Sequence, residues 1–330
     1  MKFAATLALA VGLGLAAPAY AETIKIGLQP WLGYGPLWIA EKQGYFAANG
    51  VDVQLVNFGW DADLAVALAS GNINVTSIAT NGVILQRNNG IDLKGFMLMD
   101  GSTTADAVLS NKTVNSITEL KGKKVAYEVG ATSDLLINYA LKVNGMTLKD
   151  IEAVPINASD AGLALIAGRV DVAVTYEPYI SAALSQGPDF KILFSAGEKP
   201  GLISDVLAGP AEFVAANTTQ LQGIIKAWDQ AVTYLRANPE EGGKIIADAV
   251  GSPMEEFKTA FAGVQLFDIK ENKTELAGPF QATVGEIGAL MQEAKPDEIK
   301  IVPTGDEILD LTALNGAATF SDARYTGSGI

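Results

Sequence analysis

Apolar and polar residues alternate in "TIKIGL" (23–28) and "VDVQLVNF" (51–58), and "INVTSI" (73–78) is a short β-rich run. Between these segments, the stretch from Pro36 toward Gly44 and "DLAVALASG" (63–71) space their apolar residues at helical intervals. A period of two marks a half-buried strand and a period near 3.6 marks a helix packed on one face. Strand and helix signals therefore alternate from the start, which predicts an α/β fold with largely parallel sheets. Pro36 suits a first helical position, where its missing N–H is not needed, and Gly44 suits a helix end with left-handed backbone.

The plan recurs about a hundred residues on. "KKVAYEVGATSDLLINYALKVNG" (123–145) repeats the strand, glycine loop, helix and Asn-Gly stop of residues 25–50. "DLAVALASGNINV" (63–75) and "DAGLALIAGRVDV" (160–172) match more closely: Asp63 with Asp160, Ala67 with Ala164, Gly71 with Gly168 and Val75 with Val172. Two echoes in the same order predict two lobes built alike. Ligands of open α/β sheets bind beyond the carboxyl ends of the strands. The loops to watch are then 29–35, 58–62 and 79–82 from the first lobe, and 129–133, 157–160 and 176–179 from the second. After about residue 210 the pattern becomes helical. Asn217 is a candidate cap, "NPEEGG" a break and 279–294 a further helix, and this all-helical tail is expected to cover the first lobe. The closing "TGSGI" reads as a frayed end.

Composition narrows the chemistry. The chain has no His and no Cys among its 330 residues. That excludes a Ser-His-Asp triad, a His–Zn site and thiol chemistry, and it leaves no cysteine for a lipid anchor. A formal charge of −14 argues against a nucleic-acid surface. "MKFAATLALAVGLGLAAPAYAE" begins with a basic residue, continues through an apolar stretch and ends in Ala19-Tyr20-Ala21, which is the pattern of a secretory signal peptide over residues 1–21.

The ordered set "W-x-G-Y-x-P-L", "GYF", "ALASG", "ELKGKKVA", "G-x-x-S" and "ALIAGRVDVAVTYEPY" resembles periplasmic solute-binding proteins of ABC importers, in the nitrate/sulfonate/taurine (NMT1/THI5-like) group. The resemblance implies a two-lobed periplasmic binding protein fold (type II), each lobe a mostly parallel sheet flanked by helices. It places the crossings near 102–108 and 203–209, with residues 22–104 and 206–330 in the first lobe and 105–205 in the second. It also implies a periplasmic monomer that closes on its solute and docks on an inner-membrane permease. No cofactor, metal or catalytic residue is expected.

The candidate ligand residues come from the predicted loops. Trp31 and Tyr34, flanked by glycines and Pro30, suit a pocket wall, whereas Trp38, Tyr45 and Phe46 suit the core equally well. Gln29 offers an amide just past the strand. "GATSD" opens a helix whose free N–H groups favour an anion, with Gly130, Thr132 and Ser133 in reach and Asn81 at the similar site in the first lobe. Plain N-capping is the alternative. Asp61 beside Trp60, Asp106, Glu177 beside Tyr176, and Asp205 all fall at cleft or crossing positions, and no Arg sits in those loops. A fully anionic solute would normally meet Arg or Lys, so the acids favour a solute with a cationic or donor-rich end. By the resemblance, an aspartate near 205 would lie close to the amine of a taurine-type ligand. Ser102 and Asp106 read either as ligand contacts or as hinge residues.

The expectation is a receptor for a small zwitterionic or amine-bearing solute, with taurine or a related sulfonate as the best single choice. The alternatives are a receptor for a pyrimidine precursor, ureide or other nitrogen-rich solute, a receptor that reports to a sensor, and an enzyme on the same bilobed scaffold.

Overall fold

A computed structural model describes residues 22–320. The expected signal peptide and the last residues, with "TGSGI", lie outside that range. Among the described residues the strands are β1 (Ile24–Leu28), β2 (Val53–Asn57), β3 (Val75–Ala79), β4 (Leu93–Ser102), β5 (Asp106–Ser110), β6 (Lys124–Tyr127), β7 (Glu152–Pro155), β8 (Val172–Tyr176), β9 (Lys191–Ser195), β10 (Ser204–Pro210) and β11 (Val264–Leu266). They form two sheets, ordered β11-β4-β10-β3-β1-β2 and β7-β6-β8-β5-β9. In each, three parallel strands are followed by an antiparallel strand and then one antiparallel to that. The chain passes from the first sheet to the second between Ser102 and Asp106, and returns between Ser195 and Ser204. The return thus precedes β10, whereas residues 203–209 were expected to make it.

The duplication read from the sequence is present in the hydrogen bonds. The Asp61–Ala69 and Ala158–Ile166 helices both run into a left-handed glycine, with φ +73° at Gly71 and +67° at Gly168. Gly71 N–H donates to Leu68 at 3.1 Å and Gly168 N–H to Leu165 at 3.0 Å, and the following residues donate to Ala67 and Ala164. Such backbone is cheap only for glycine, and it turns the chain straight into the next strand. Val75 and Val172 then lie fully buried, opposite Ile26 of β1 and Val125 of β6 respectively.

The carboxy-terminal part covers the first sheet with one addition: β11 pairs with β4, so this region is not wholly helical. Its Thr218–Ala237 helix packs on the Gly35–Lys42 helix, with Trp228 fully buried and its indole N–H donating to the Phe267 carbonyl at 2.8 Å. Asn217 does stand before that helix, but its amide donates back to Phe213, so it does not cap through its side chain. "NPEEGG" breaks the chain only at Asn238. Pro239 starts the next helix, and Gly242 and Gly243 lie within it because a side chain there would collide with Leu235 and Phe257. The expected helix at 279–294 is present as Pro279–Ala294, and it packs on both the Thr80–Asn88 and Thr132–Val143 helices.

Candidate functional site

Strand ends of both sheets converge on one cavity of about 40 Å³. A single water needs roughly 10–15 Å³ on the same measure, so the space suits a small solute. Gln29, Trp31 and Tyr34 follow β1, Asp61 opens the helix after β2, and Asp205 comes from β10. From the other side come Asp106 at the start of β5, Thr132 and Ser133 opening the helix after β6, and Tyr176 at the end of β8. Ala79, Glu128, Ala131, Ala158 and Ile203 complete the lining.

The aromatic loop is held by specific contacts. Trp31 is buried, donates its indole N–H to Asp100 Oδ1 at 2.9 Å, and meets Tyr176 edge-on at a centroid distance of 5.7 Å. Tyr176 in turn packs edge-on against Tyr179. Edge-to-face ring pairs add to burial energy, and here one of them links the two sheets. Gly33 is required by close approach: a Cβ there would stand 2.3 Å from both Asp100 Cγ and Trp31 Nε1. Trp38, Tyr45 and Phe46 turn to the core.

Glu128 is the residue that sequence reasoning missed. Its Oε1 accepts the Asp61 N–H at 2.8 Å and its Oε2 accepts the Ala158 N–H at 3.1 Å. A signal was available, because the pairing registers of β1 with β3 and β6 with β8 make Glu128 the counterpart of Gln29. Asp100 was also missed. It is a fully buried acid inside a hydrophobic strand, opposite Asp205 in the β4–β10 pairing.

Five expected contacts are placed elsewhere. Trp60 precedes a helix with its ring partly in solvent. Asn81 and Gly130 lie in a neighbouring seam, where the Asn81 amide approaches the Gly130 carbonyl at 3.4 Å and Gly130 adopts φ +86°. Ser102 is buried at the end of β4, bonded through its N–H to Ile203, with its side chain set against Asp106 behind the cavity wall. Glu177 spends both carboxylate oxygens on Ser181, one on its N–H and one on its hydroxyl, and so caps the following helix. The "GATSD" turn is occupied from within in part, at the Gly130 N–H and the Ser133 hydroxyl. Gly130 N–H donates to Asp134 at 2.7 Å, and Ser133 Oγ bonds the main chain of Glu128.

Burial drives the electrostatics. It raises Asp61 to about 6, with the Gln29 side chain opposing. Asp106 rises to about 7 through burial, with the Glu177 charge adding to it. Glu128 rises to about 7 through burial and the Asp61 charge, against the pull of its two N–H donors. Asp205 is pushed well above the carboxylate range by burial and by the charge of Asp100. Asp100 is itself raised by burial, while the Trp31 indole N–H opposes. Tyr34 and Tyr176 are held as neutral phenols by burial and the acids around them. No Lys or Arg lines the cavity. A buried charge of one sign without a partner is costly, and a ligand of the opposite sign relieves that cost.

Residues 32–242 match the family described as NMT1/THI5 like. The chain belongs to that family. A protein of Escherichia coli named for binding aliphatic sulfonates is 27% identical over 203 residues, which are 61% of this chain and 63% of that protein. The match thus spans under two thirds of that relative's length. The taurine-binding periplasmic protein of Escherichia coli is 21% identical over 280 residues, or 83% of this chain and 88% of that protein. The crystal structure of the periplasmic aliphatic sulphonate binding protein SsuA from Escherichia coli superposes with a TM-score of 0.69 at 20% identity, covering 89% of this chain and 99% of that one. These relatives are solute-binding proteins rather than enzymes, and the two-lobed fold read from the sequence is the fold they share.

Proposed function

We propose that the chain is the periplasmic substrate-binding receptor of an ABC importer, capturing a small zwitterionic or amine-bearing organic solute between its two sheets. The observation that carries this reading is an aromatic-walled cavity between the sheets that holds Asp61, Asp106, Glu128 and Asp205 and no basic residue. An ammonium group there exchanges water for charge-assisted hydrogen bonds to carboxylates and for the faces of Trp31, Tyr34 and Tyr176.

The mechanism is closure. Solute that touches both sheets only when they meet has a higher affinity for the closed form and shifts the population toward it. Micromolar capture requires about 8 kcal/mol net, which a few charge-assisted bonds and a ring wall supply. The closed form then docks, as a monomer, on the permease. The names of the taurine- and sulfonate-binding relatives support a solute of that size and keep taurine among the candidates.

The test is isothermal titration of the purified protein with taurine, alkanesulfonates, simple amines and ureido compounds, alongside native mass spectrometry for co-purified solute. Micromolar binding of an amine-bearing compound that is lost in Trp31→Ala supports the reading. Binding restricted to amine-free anions overturns it.

A further inference from the structure

The bonds of Glu128 carry a consequence for the solute itself. Asp61 N–H and Ala158 N–H are the first amides of the Asp61–Ala69 and Ala158–Ile166 helices, each nine residues long. They are equivalent positions of the internal repeat, since the alignment that pairs Asp63 with Asp160 pairs residue 61 with residue 158. One carboxylate therefore sits between two duplicated helix starts, one from each half, giving one oxygen to each. Helix starts of this kind are where an external anion is held by main-chain N–H groups. Here the protein places its own anion at that point.

We propose that Glu128 is a built-in counter-anion, occupying the donors that a sulfonate or carboxylate solute would need, and that the cavity is thereby specific for a small organic ammonium ion carrying no acidic group. This deepens the receptor reading and rests on it. An independent observation points to the same ligand. Asp106 lines the cavity at 5% exposure, and its buried carboxylate is answered only by the Ser102 side chain beside it, with no cation in reach. A buried carboxylate held by one neutral hydroxyl still lacks a counter-charge, and an ammonium N–H or a polarised N-methyl group is the small-molecule donor that brings it. Trp31 and Tyr176, packed edge-on beside it, supply the ring surface on which such a cation rests. An acidic group on the solute would share the cavity with Glu128 and Asp106, with no Lys or Arg in the lining to answer its charge.

The experiment is titration calorimetry of wild-type protein with ethanolamine, choline and putrescine against taurine and ethanesulfonate, repeated on Glu128→Gln and Trp31→Ala. The expected result is binding of at least one of the three cations, taurine weaker by at least a hundredfold, and ethanesulfonate silent. Glu128→Gln, with its fold checked by circular dichroism, should lose at least tenfold in cation affinity. Taurine or ethanesulfonate binding as tightly as the best cation, and lost in Trp31→Ala, overturns the built-in anion while leaving the receptor reading intact. Failure of all five probes to bind overturns both.

Discussion

The two halves meet in two places that handle charge in opposite ways. In the cavity, acids gather with no basic residue among them. In the seam beside it, where the Pro279–Ala294 helix reaches the Thr132–Val143 helix, every acid we name has a partner. Lys295 pairs with the buried Asp134, and Lys142 pairs with Glu293. Nearby, Lys199 pairs with Glu286 at 2.7 Å. The named acids of the seam thus each face an ammonium group of the protein itself. The cavity is incomplete, so its closure depends on what enters. A receptor needs both: a contact that biases the halves together, and a gap that only the right solute fills.

The comparison breaks most visibly with pH. Carboxylates raised to about 6 or 7 are protonated in both folded and unfolded protein below pH 4. Between about pH 4 and pH 7 the unfolded chain has already released these protons while the folded one still holds them. The unfolded state then binds fewer protons, and stability falls. The ligand-free melting temperature should therefore drop between pH 5 and pH 7 and level off by pH 8. Affinity for a cation should rise over the same range, measured by calorimetry. A flat pH profile would mean that the acids are already compensated.

Asp106→Asn removes a buried charge that no cation of the lining answers. Cation affinity should fall ten- to a hundredfold, about 1.4–3 kcal/mol, while the ligand-free protein melts higher at pH 8. A parallel loss of binding and stability would assign Asp106 to the fold rather than the solute. Trp31→Ala should weaken binding by roughly 1–3 kcal/mol with the circular dichroism spectrum unchanged. The smallest effect belongs to the seam. Lys295→Met leaves Asp134 without its ammonium partner and should cost about 1–2 kcal/mol in urea unfolding, below the usual range for a buried pair because Lys295 is partly in water. Its effect on ligand affinity should be under tenfold, through a reduced closed population.

Much of this was legible in the chain. The periodicities placed β1, β2, β3 and the Pro279–Ala294 helix, the repeat placed β6 and β8, and the matched glycines 71 and 168 stand at two like helix exits. Local backbone preference and side-chain spacing suffice there. The loops after each strand, once the repeat was seen, led to Gln29, Trp31, Tyr34, Asp61, Thr132, Ser133 and Tyr176, and the crossings implied by the resemblance led to Asp106 and Asp205, all of which line the cavity. The reading went astray where two segments compete for one role. Glu177 and Asp205 look alike as acids near a strand end. Only the fold shows that Glu177 is spent on Ser181, whereas Asp205 faces the cavity opposite Asp100. Asn81 and Gly130 were correctly placed at facing loops, but the Pro279–Ala294 helix closes over them and leaves them in the seam.

The sequence by itself determined the alternating architecture, its duplication, the absence of His and Cys chemistry, and an excess of acids at the strand ends, because these depend on residue type and spacing along a single chain. Tertiary structure alone decided which acid stays unpaired and which is satisfied, because a carboxylate's partner is set by what the rest of the chain brings within 3 Å of it. Glu128 shows the division. Its position just past a strand can be read in one dimension, and its bond to the Ala158 amide, 30 residues away, lies within the second half, but its bond to the Asp61 amide, 67 residues away, exists only once the halves have met.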